Sequence, residues 1–338
     1  MRHTYVPIID VPPEPPVLGT VVQTLHGNTM GTSWSVKLAT RATRPLADVQ
    51  QAIEQQLDLV IAQMSTWEAD SNLSRYNRAP AGSWHELPEA FFRVLECALQ
   101  VAQESDGAYD PSAGLLVNLW GFGPENRYDQ PGFQQPTPDA ITKARALCGW
   151  QRVVLDRTQQ RVQQPGGLLL DFSAIAKGFA VDLVAQTIAS FGFESFLVEI
   201  GGELRGHGIR PDGQPWWVVI EQPPSQQGMV LDERLVALYR CTIATSGDYR
   251  RYFMRDAIRY AHTINPRTGE PLAHALASVT VIHPECMLAD AWSTALGVMG
   301  VEEGLACADR LGLAALFLTR DGNTLHEQSS LAMKEMLQ

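Results

Sequence analysis

The sequence lacks the features that define several large functional classes. No run of about 18 apolar residues occurs, so no transmembrane helix is expected. Basic residues are scarce: 26 Lys and Arg stand against 37 Asp and Glu, and the net charge is -11. That balance argues against binding to nucleic acid or to anionic lipid surfaces. Five widely spaced cysteines without a CxxC pair predict neither a disulfide framework nor a zinc site, and we interpret them mostly as small core residues.

The first residues of the chain are rich in proline and contain no apolar stretch long enough for a secretory signal peptide. We interpret residues 1–20 as an extended leader and residues 21–338 as one catalytic domain. As written, the chain is expected to be cytoplasmic, and a native start elsewhere would make a periplasmic location the expectation.

The order of predicted elements favours an α+β (mixed α/β) fold, a single unit in which mixed sheets are packed by helices. Strands and helices are interspersed and several strands are hairpin neighbours, so strict βαβ alternation is not kept. Predicted strands cover Val21–Leu25, Trp34–Leu38, Leu168–Leu170, Phe196–Ile200, Trp216–Glu221, Ala277–Ile282 and Ala314–Thr319, and a further strand leads from His262 into a turn that ends at Gly269. Between them we expect a Met30-Gly31-Thr32 hairpin turn, a hairpin around Asp156-Arg157-Thr158 and a loop over Gln222–Gly228, with a polar tail at the end. Predicted helices cover Leu46–Met64, Pro88 to near Gly107, Thr137 to Gly149, Ala174 to about Phe191, Met287–Met299 and Glu302–Leu311.

One stretch places a carboxylate, a hydroxyl and an ammonium group where a strand passes into a helix. Asp171, Ser173 and Lys177 follow the apolar run Leu168–Leu170 and precede a pattern with helical spacing. The free N–H groups and the dipole of such a helix end attract phosphate. Two plainer interpretations stay open, because Asp171 also occupies the right place for a helix cap and Lys177 can be a solvated surface lysine.

Asp290 and Thr294 lie four residues apart on a predicted helix and therefore share a face. A carboxylate and a hydroxyl on one face make a site for a hard cation such as Mg²⁺. Asp290 can equally favour the helix dipole while Thr294 packs. His262 precedes a turn and has the pKa for proton transfer near neutrality, although a structural histidine is the plainer interpretation.

The glycine patterns exclude two nucleotide-binding motifs. Gly201-Gly202 after a strand permits close approach of a ligand to the backbone, and a plain turn explains it equally well. Neither GxGxxG nor GxxxxGK[ST] occurs, so neither a Rossmann fingerprint nor a P-loop is present.

Eight ordered motifs are similar to those of one family, over roughly Gly27 to Gly300. They are Met30-Gly31-Thr32; Met64–Trp67 with Asp70, Ser71 and Asn77; Tyr109–Pro111 with Leu119–Gly123; Asp171–Gly178; Glu199–Glu203; Ala244–Tyr249; His262 with Asn265–Pro271; and Ala289–Ala291 with Thr294-Ala295. With these motifs the chain resembles the FAD:protein FMN transferase (ApbE) family. It departs from the family at Trp67, where tyrosine is usual, and at Phe172, where leucine is usual. Many members are exported lipoproteins, whereas the first cysteine here is Cys97.

The resemblance implies an enzyme that splits FAD at its pyrophosphate, transfers FMN to a threonine or serine hydroxyl of an acceptor flavoprotein, and releases AMP. It implies FAD contacts from Met30, Trp67, Ala108, Tyr109, Asp110, Asp171, Lys177 and His262, and a Mg²⁺ site made by the Ala174 carbonyl, Asp290, Ser293 and Thr294. His262 is the candidate base for the acceptor hydroxyl, with Asp248 less favoured. The ring of Trp67 or Tyr109 is a candidate for stacking on a flavin or adenine ring.

Two other functions remain as alternatives. A Mg²⁺-dependent FAD pyrophosphatase would use the same site and accept water, and a non-catalytic FAD-binding protein would not need the metal ligands. Because Asp290 and Thr294 are both present, catalysis is favoured over binding alone. No acceptor sequence is recognised within the chain, so self-flavinylation is not expected. The sequence does not identify the acceptor, the oligomeric state or a preference for Mg²⁺ over Mn²⁺.

Overall fold

The computed structural model describes residues 2–8, 14, 17–223, 233–256, 258–273, 275–322 and 324–338. Most of the proline-rich part of the leader and residues 224–228 of the predicted loop lie outside the described residues. Helices in the described ranges are α1 (Ala47–Met64), α2 (Asn72–Asn77), α3 (Glu89–Glu104), α4 (Gly114–Leu119), α5 (Pro138–Leu147), α6 (Ala176–Ser190), α7 (Cys286–Leu311) and α8 (Leu331–Glu335), with a 3₁₀ turn at Trp150–Arg152. None of these helices is long and apolar enough to cross a membrane.

The strands of the described residues form one large sheet and several small ones. They are β1 (Arg2–Tyr5), β2 (Thr20–Thr29), β3 (Thr32–Arg41), β4 (Trp84–Glu86), β5 (Val154–Asp156), β6 (Arg161–Gln163), β7 (Phe196–Ile200), β8 (Glu203–His207), β9 (Trp216–Val219), β10 (Glu233–Leu238), β11 (Cys241–Gly247), β12 (Tyr252–Arg255), β13 (Ile258–Ala261), β14 (Ile264–Asn265), β15 (Glu270–Pro271), β16 (Leu276–His283), β17 (Ala314–Asp321) and β18 (Thr324–Ser329). The large sheet has the order β18-β17-β16-β11-β8-β7-β3-β2, and every pairing in it is antiparallel. The predicted α+β class is therefore confirmed.

Both faces of the large sheet are covered, which explains why its central strands read as continuous apolar runs. In β16, Val279 and Val281 join the core formed with the helices, whereas Ile282 joins a second core. That second core lies between the sheet and the smaller β1-β10-β9 sheet with α8. Alternate residues of a strand point to opposite faces, so a strand buried on both sides has no polar alternation.

Local signals placed most helices correctly. Thr137 caps α5 with its hydroxyl, which accepts from the Ala140 N–H at 3.2 Å, and Pro138 occupies the first helical position. The two helices predicted over Met287–Met299 and Glu302–Leu311 form α7, which is interrupted at Gly300 where φ is 77°. The five cysteines are free, as expected, with Cys241, Cys286 and Cys307 buried and the other two half-buried.

The strand predicted over Leu168–Leu170 is wrong. Leu169 makes only a single bridge to Ala113, although both flanking leucines are fully buried. The reason lies in Asn77, whose side-chain oxygen accepts from Leu170 N–H and whose amide donates to Leu170 O, both at 2.8 Å. A side chain therefore satisfies the backbone groups that a neighbouring strand would otherwise pair.

The predicted polar tail and the end of α5 also need correction. Residues after Thr319 continue the sheet as the edge strand β18, whose side chains alternate between exposed and half-buried, and then form α8. An edge strand of this kind shows no apolar alternation, so its pattern resembled a loop. Helix α5 stops at Leu147, two residues before Gly149.

The start of the predicted leader packs onto the domain. Strand β1 pairs in parallel with β10, and Tyr5 is only 1% exposed. Its hydroxyl donates to Glu327 Oε1 at 2.8 Å, and Arg234 binds the same carboxylate. The backbone of Val6 donates to Met336 O at 2.7 Å, so both terminal segments lie together. The boundary at residues 20 and 21 stays a prediction.

Candidate active site

The N-terminus of α6 is closed by a side chain from another helix. Ile175 occupies the N-cap position and supplies no side-chain hydrogen bond. The carboxylate of Asp290 accepts from Gly178 N–H through Oδ2 at 3.0 Å. Because the first N–H groups of a helix lack partners within the helix, this contact acts as an N-terminal cap. Of the interpretations left open for Asp171, the cap of this helix is not observed, since Asp171 Oδ1 accepts from Ser173 N–H at 2.7 Å in the preceding turn.

Helices α6 and α7 cross closely at Gly178. A Cβ atom at this position would meet the carbonyl oxygen of Cys286 and lie 2.8 Å from Cβ of Asp290. Glycine is therefore required for the crossing, and the crossing sets Asp290 against the end of α6. The two stretches singled out in the sequence form one site.

Lys177 projects from the same helix end to a buried carboxylate. Its Nζ lies 2.5 Å from Oε1 of Glu203, a residue 1% exposed whose Oε2 has no hydrogen-bond partner. Burial raises the pKa of Glu203 to about 7, although the charge of Lys177 opposes that shift. Burial disfavours the charge of Lys177, but Asp290 and Glu203 outweigh it and raise the lysine pKa. Lys177 is therefore a cation fixed by an ion pair with Glu203, and the plainer interpretation as a solvated surface lysine is wrong.

The turn Gly201-Gly202 brings a second cation to this site. Both glycines have positive φ, 61° and 102°, which strains other residues. Arg250 donates from Nη1 to Gly201 O at 2.6 Å, and a Cβ at Gly202 would lie 2.9 Å from that Nη1. The predicted Met30-Gly31-Thr32 turn is confirmed, because it connects the paired strands β2 and β3. It adjoins the site, since a Cβ at Gly201 would lie 2.9 Å from Thr32 Cγ2. Met30 is half-buried with φ of 45°.

His262 has a defined orientation and charge. Its backbone N–H and its ring Nδ1 both lie against Arg251 O, at 3.0 and 3.1 Å. Because a carbonyl oxygen only accepts, Nδ1 carries the proton and Nε2 keeps its lone pair. Burial lowers the pKa of His262 to about 4, and the charges of Arg251, Lys177 and Arg250 act in the same direction. The ring is thus neutral at pH 7 and able to accept a proton at Nε2.

Asp248, the less favoured base, is held by cations. Arg320 donates to its two carboxylate oxygens at 2.6 and 2.7 Å, and Arg259 lies 3.7 Å away. Both oxygens of this carboxylate are therefore occupied by a bidentate arginine pair. The role of Asp248 stays a prediction, and the geometry favours His262.

The Ala108-Tyr109-Asp110 segment lies behind the site. Tyr109 is 4% exposed and its hydroxyl has no partner, so its ring offers almost no surface for stacking. Asp110 Oδ1 accepts from the N–H and the hydroxyl of Ser112, and its Oδ2 accepts from Trp150 N–H. FAD contact by this segment stays a prediction.

Trp67 is the exposed aromatic residue among the predicted contacts, at 47%. The guanidinium of Arg127 lies 5.5 Å from its ring centroid, and Arg127 is paired with Asp129. Arg251, which holds His262, is close enough to Asp129 to lower the pKa of that carboxyl along with Arg127. Of the two rings proposed for stacking, only Trp67 is accessible.

The predicted metal ligands lie on α7 and just before α6. Ser293 is 1% exposed and donates its hydroxyl to Asp290 O at 2.9 Å, while Thr294 and Ala174 are half-buried. The hydrogen bond described for Asp290 uses Oδ2, which leaves Oδ1 for another partner. Within the described ranges, no group of three or more His, Cys, Asp or Glu side chains could hold a metal ion.

Two residues of the site were missed from the sequence as individual candidates, Glu203 and Arg250. Glu203 directly follows a strand and a Gly-Gly turn, but nothing in the sequence shows that its side chain is buried beside Lys177. Arg250 belongs to an arginine pair in an exposed segment, and its contacts with Gly201 O and with the carboxylate of Glu221 distinguish it.

A lysine paired with a buried carboxylate at a helix N-terminus, with a second buried carboxylate and a neutral histidine nearby, is an arrangement suited to an enzyme that acts on a phosphorylated substrate. Comparison with known families gives the same class. The family model described as the ApbE family matches residues 30–317. This chain belongs to the ApbE family.

The relatives support this membership over nearly the full chain. The FAD:protein FMN transferase of Haemophilus influenzae is 38% identical over 323 residues, which cover 94% of this chain and 92% of the relative. The protein of the same name from Vibrio cholerae is 38% identical over 316 residues, covering 93% and 92%. The apo crystal structure of the flavinyl transferase ApbE of Pseudomonas stutzeri is 40% identical, with a TM-score of 0.84 over 94% of this chain and 97% of that one.

Proposed function

We propose that this chain is a Mg²⁺-dependent FAD:protein FMN transferase. A hydroxyl oxygen of a threonine or serine on an acceptor flavoprotein attacks the FMN phosphorus of FAD. The pyrophosphate P–O bond breaks, AMP leaves with the bridging oxygen, and a phosphoester joins FMN to the acceptor. The observation that carries the proposal is the junction of α6 and α7, where Lys177, Glu203 and Asp290 meet across from neutral His262, in a chain whose curated relatives carry this name.

Cationic side chains bind and orient the pyrophosphate. Lys177 stays charged beside its carboxylate neighbours, and Arg250 adds a second positive charge at the Gly201-Gly202 turn. Phosphoryl transfer needs little covalent chemistry from the protein, so positioning and charge stabilisation supply most of the acceleration.

The donor set fits a magnesium ion. A buried carboxylate with one spare oxygen, two hydroxyls and a carbonyl would come from Asp290, Ser293, Thr294 and Ala174, and water and phosphate oxygens would complete the shell. Mg²⁺ bound there would neutralise charge that develops on the phosphate oxygens. Asp290 serves in addition as the cap of α6, which fixes its orientation.

His262 takes the proton of the acceptor hydroxyl at Nε2. Its Nδ1 is occupied by Arg251 O, so the basic nitrogen is the free one, and its low pKa keeps it unprotonated at pH 7. The exposed ring of Trp67 supplies the surface for stacking of the flavin or adenine ring, with Met30 and Asp171 at the edges of the site.

The decisive experiment follows the three products separately. Purified protein is incubated with FAD and Mg²⁺, with and without an acceptor flavoprotein, and AMP, free FMN and flavin retained on denatured protein are quantified. We expect AMP to match covalent flavin on the acceptor. AMP matched by free FMN under all conditions would establish a pyrophosphatase instead, and tight FAD binding without AMP would establish a binding protein.

The control variant must separate chemistry from folding. Asp290→Ala removes both the predicted metal ligand and the cap of α6, whereas Asp290→Asn keeps an oxygen for Gly178 N–H and removes the charge. We expect both variants to lose AMP production, and only the alanine variant to lose stability markedly.

A further inference from the structure

The hairpin formed by β12 and β13 stands apart from the large sheet. Among the described residues, these two strands pair only with each other. Phe253 and Tyr260 are directly opposite and stack at 5.0 Å, and Phe253 also stacks on Phe122 and Tyr128. One face of the hairpin is therefore anchored by aromatic contacts, and the outer edges of both strands have no strand beside them within the described ranges.

The other face of the hairpin exposes apolar and cationic groups. Tyr252 and Met254 are 37% and 55% exposed. Arg259 lies opposite Met254, with its guanidinium 4.4 Å from the Tyr252 ring centroid. Exposed apolar side chains beside an unpaired strand edge are features of surfaces that bind an extended chain.

The hairpin is positively charged in an acidic protein. Residues 248–262 contain four arginines and two aspartates, whereas the whole chain has a net charge of -11. One charge of each sign is paired with a residue outside the segment, Arg250 with Glu221 and Asp248 with Arg320. Arg251, Arg255 and Arg259 are exposed. This segment therefore attracts negative charge that the rest of the surface repels.

The position of His262 links this hairpin to the proposed reaction. His262 directly follows β13 and is held by Arg251, which directly precedes β12. An acceptor hydroxyl bound at Nε2 of His262 brings the residues next to it in the acceptor chain close to the hairpin. An extended chain advances about 3.3 Å per residue, so three or four flanking residues reach roughly 10–13 Å from the reacting hydroxyl. That span is comparable to the length of the four-residue strands.

We propose that the β12–β13 hairpin is the docking surface for the acceptor, and that it binds an extended, acidic segment next to the modified hydroxyl. This inference rests on the proposed function. Backbone groups of the segment pair with an open edge of the hairpin, and Tyr252 and Met254 contact its apolar side chains. Arg259 on the same face, with Arg251 just before β12, contacts its carboxylates. Recognition of the acceptor is thereby separated from recognition of FAD.

A binding experiment tests the surface without any turnover. The probes are three fluorescein-labelled synthetic dodecapeptides with one central threonine, flanked on both sides by aspartates, asparagines or lysines. Fluorescence anisotropy measures their binding to the full chain loaded with FAD, at low and high salt. We expect the aspartate peptide to bind at least about tenfold more tightly than the lysine peptide, with weaker binding at high salt because the contacts are exposed.

Matched variants locate the site. Met254→Ser with Arg259→Glu alters one face of the hairpin, where the two residues are opposite each other, and Leu331→Ser with Lys334→Glu makes the same kinds of change on α8. Helix α8 packs at the end of β17 opposite to Arg320, the partner of Asp248. We expect the hairpin variant to lose at least about tenfold in affinity for the aspartate peptide and the α8 variant to be unchanged, with FAD binding intact in both.

Three results would overturn the proposal: equal affinity for all peptides, no measurable binding of the aspartate peptide, or an equal loss in both variants. Failure of the proposed function is separate, because it is read from AMP and covalent flavin. If the protein bound the acidic peptide on the hairpin but produced no AMP, the proposed transferase activity would be contradicted and the docking surface would still be supported.

Discussion

The carboxylate of Asp290 accepts a hydrogen bond from the backbone N–H of Gly178, so a residue of α7 closes the N-terminus of α6. The same side chain is the proposed anchor for Mg²⁺. Folding of the helix pair and assembly of the phosphate site are thus coupled through one residue. This coupling determines how variants at the junction should behave.

Substitution of Asp290 should separate stability from chemistry. Asp290→Ala should lower the free energy of unfolding by about 1–3 kcal/mol, because it leaves a buried N–H without a partner. Asp290→Asn should cost less because its amide oxygen can still accept. Urea unfolding followed by circular dichroism measures both. Equal destabilisation by the two variants would show that the cap contributes nothing.

Gly178→Ala should destabilise the protein by about 1–3 kcal/mol, because a Cβ atom there meets Cys286 O and Cβ of Asp290. The matched control is Gly297→Ala in α7, where the nearest atom to an added Cβ is Ser246 Oγ at 4.0 Å. The control should be neutral or stabilising by about 0.5–1 kcal/mol, since alanine is the better helix former. Thermal and urea denaturation of both variants test this contrast, which a destabilised control would contradict.

His262 should make stability depend on pH between its ordinary pKa of 6.5 and its lowered pKa of about 4. In that window the unfolded chain binds a proton that the folded chain does not, so stability falls as the pH falls. Above pH 6.5 the histidine contributes no pH dependence. Comparison of unfolding midpoints for the wild type and His262→Gln from pH 7 to pH 4 should show a smaller decline in the variant. Parallel declines would mean that the ring is not buried in its neutral form.

The two candidate bases should differ in their effect on turnover. His262→Gln should lower the rate of FMN transfer by about 10²–10⁴-fold, which is the usual contribution of general base catalysis. Asp248→Asn should leave the rate within about tenfold of the wild-type rate, because the Asp248 carboxylate is already bound by Arg320. Single-turnover measurement of covalent flavin distinguishes them. A larger loss in the asparagine variant would transfer the role of base to Asp248.

Glu203 should make FAD binding sensitive to pH near 7, where burial places its pKa. Below that pH the protonated carboxyl leaves only Asp290 to offset the charge of Lys177, so more of that charge is available to phosphate. Above it the carboxylate neutralises the lysine, so FAD binding should weaken. Glu203→Gln should abolish this dependence, whereas Glu199→Gln, which keeps an oxygen for Gly202 N–H, should retain it. Fluorescence titration with FAD from pH 6 to pH 8 measures both, and a flat profile for the wild type would be the contrary result.

Features with local causes were predictable from the sequence. The cap-and-proline start of α5, the Met30-Gly31 turn and the interruption of α7 at Gly300 are specified within a few residues. The motif positions also identified Lys177 and Asp290, whose proximity the structure establishes through Gly178 and Glu203.

Features with distant causes were not predictable. The backbone of Leu170 is satisfied by Asn77, 93 residues earlier, so no nearby pattern could reveal that a strand is not needed. The burial of Tyr109 follows from the packing of several elements, whereas its sequence position suggests only an aromatic residue in a loop. Glu203 becomes informative only once its neighbour Lys177 is known.

The meeting of the two chain ends has a consequence for biosynthesis. Tyr5 reaches its partner Glu327 across 322 positions, and β1 also needs β10. At about 5–20 residues per second, a ribosome needs on the order of 16–64 s to complete that interval. Strand β1 therefore waits, unpaired, until β10 is made, and the contact of Tyr5 with Glu327 forms later still. Closing so long a loop comes late and slowly, which makes the nascent chain a natural client of chaperones that shield exposed strands.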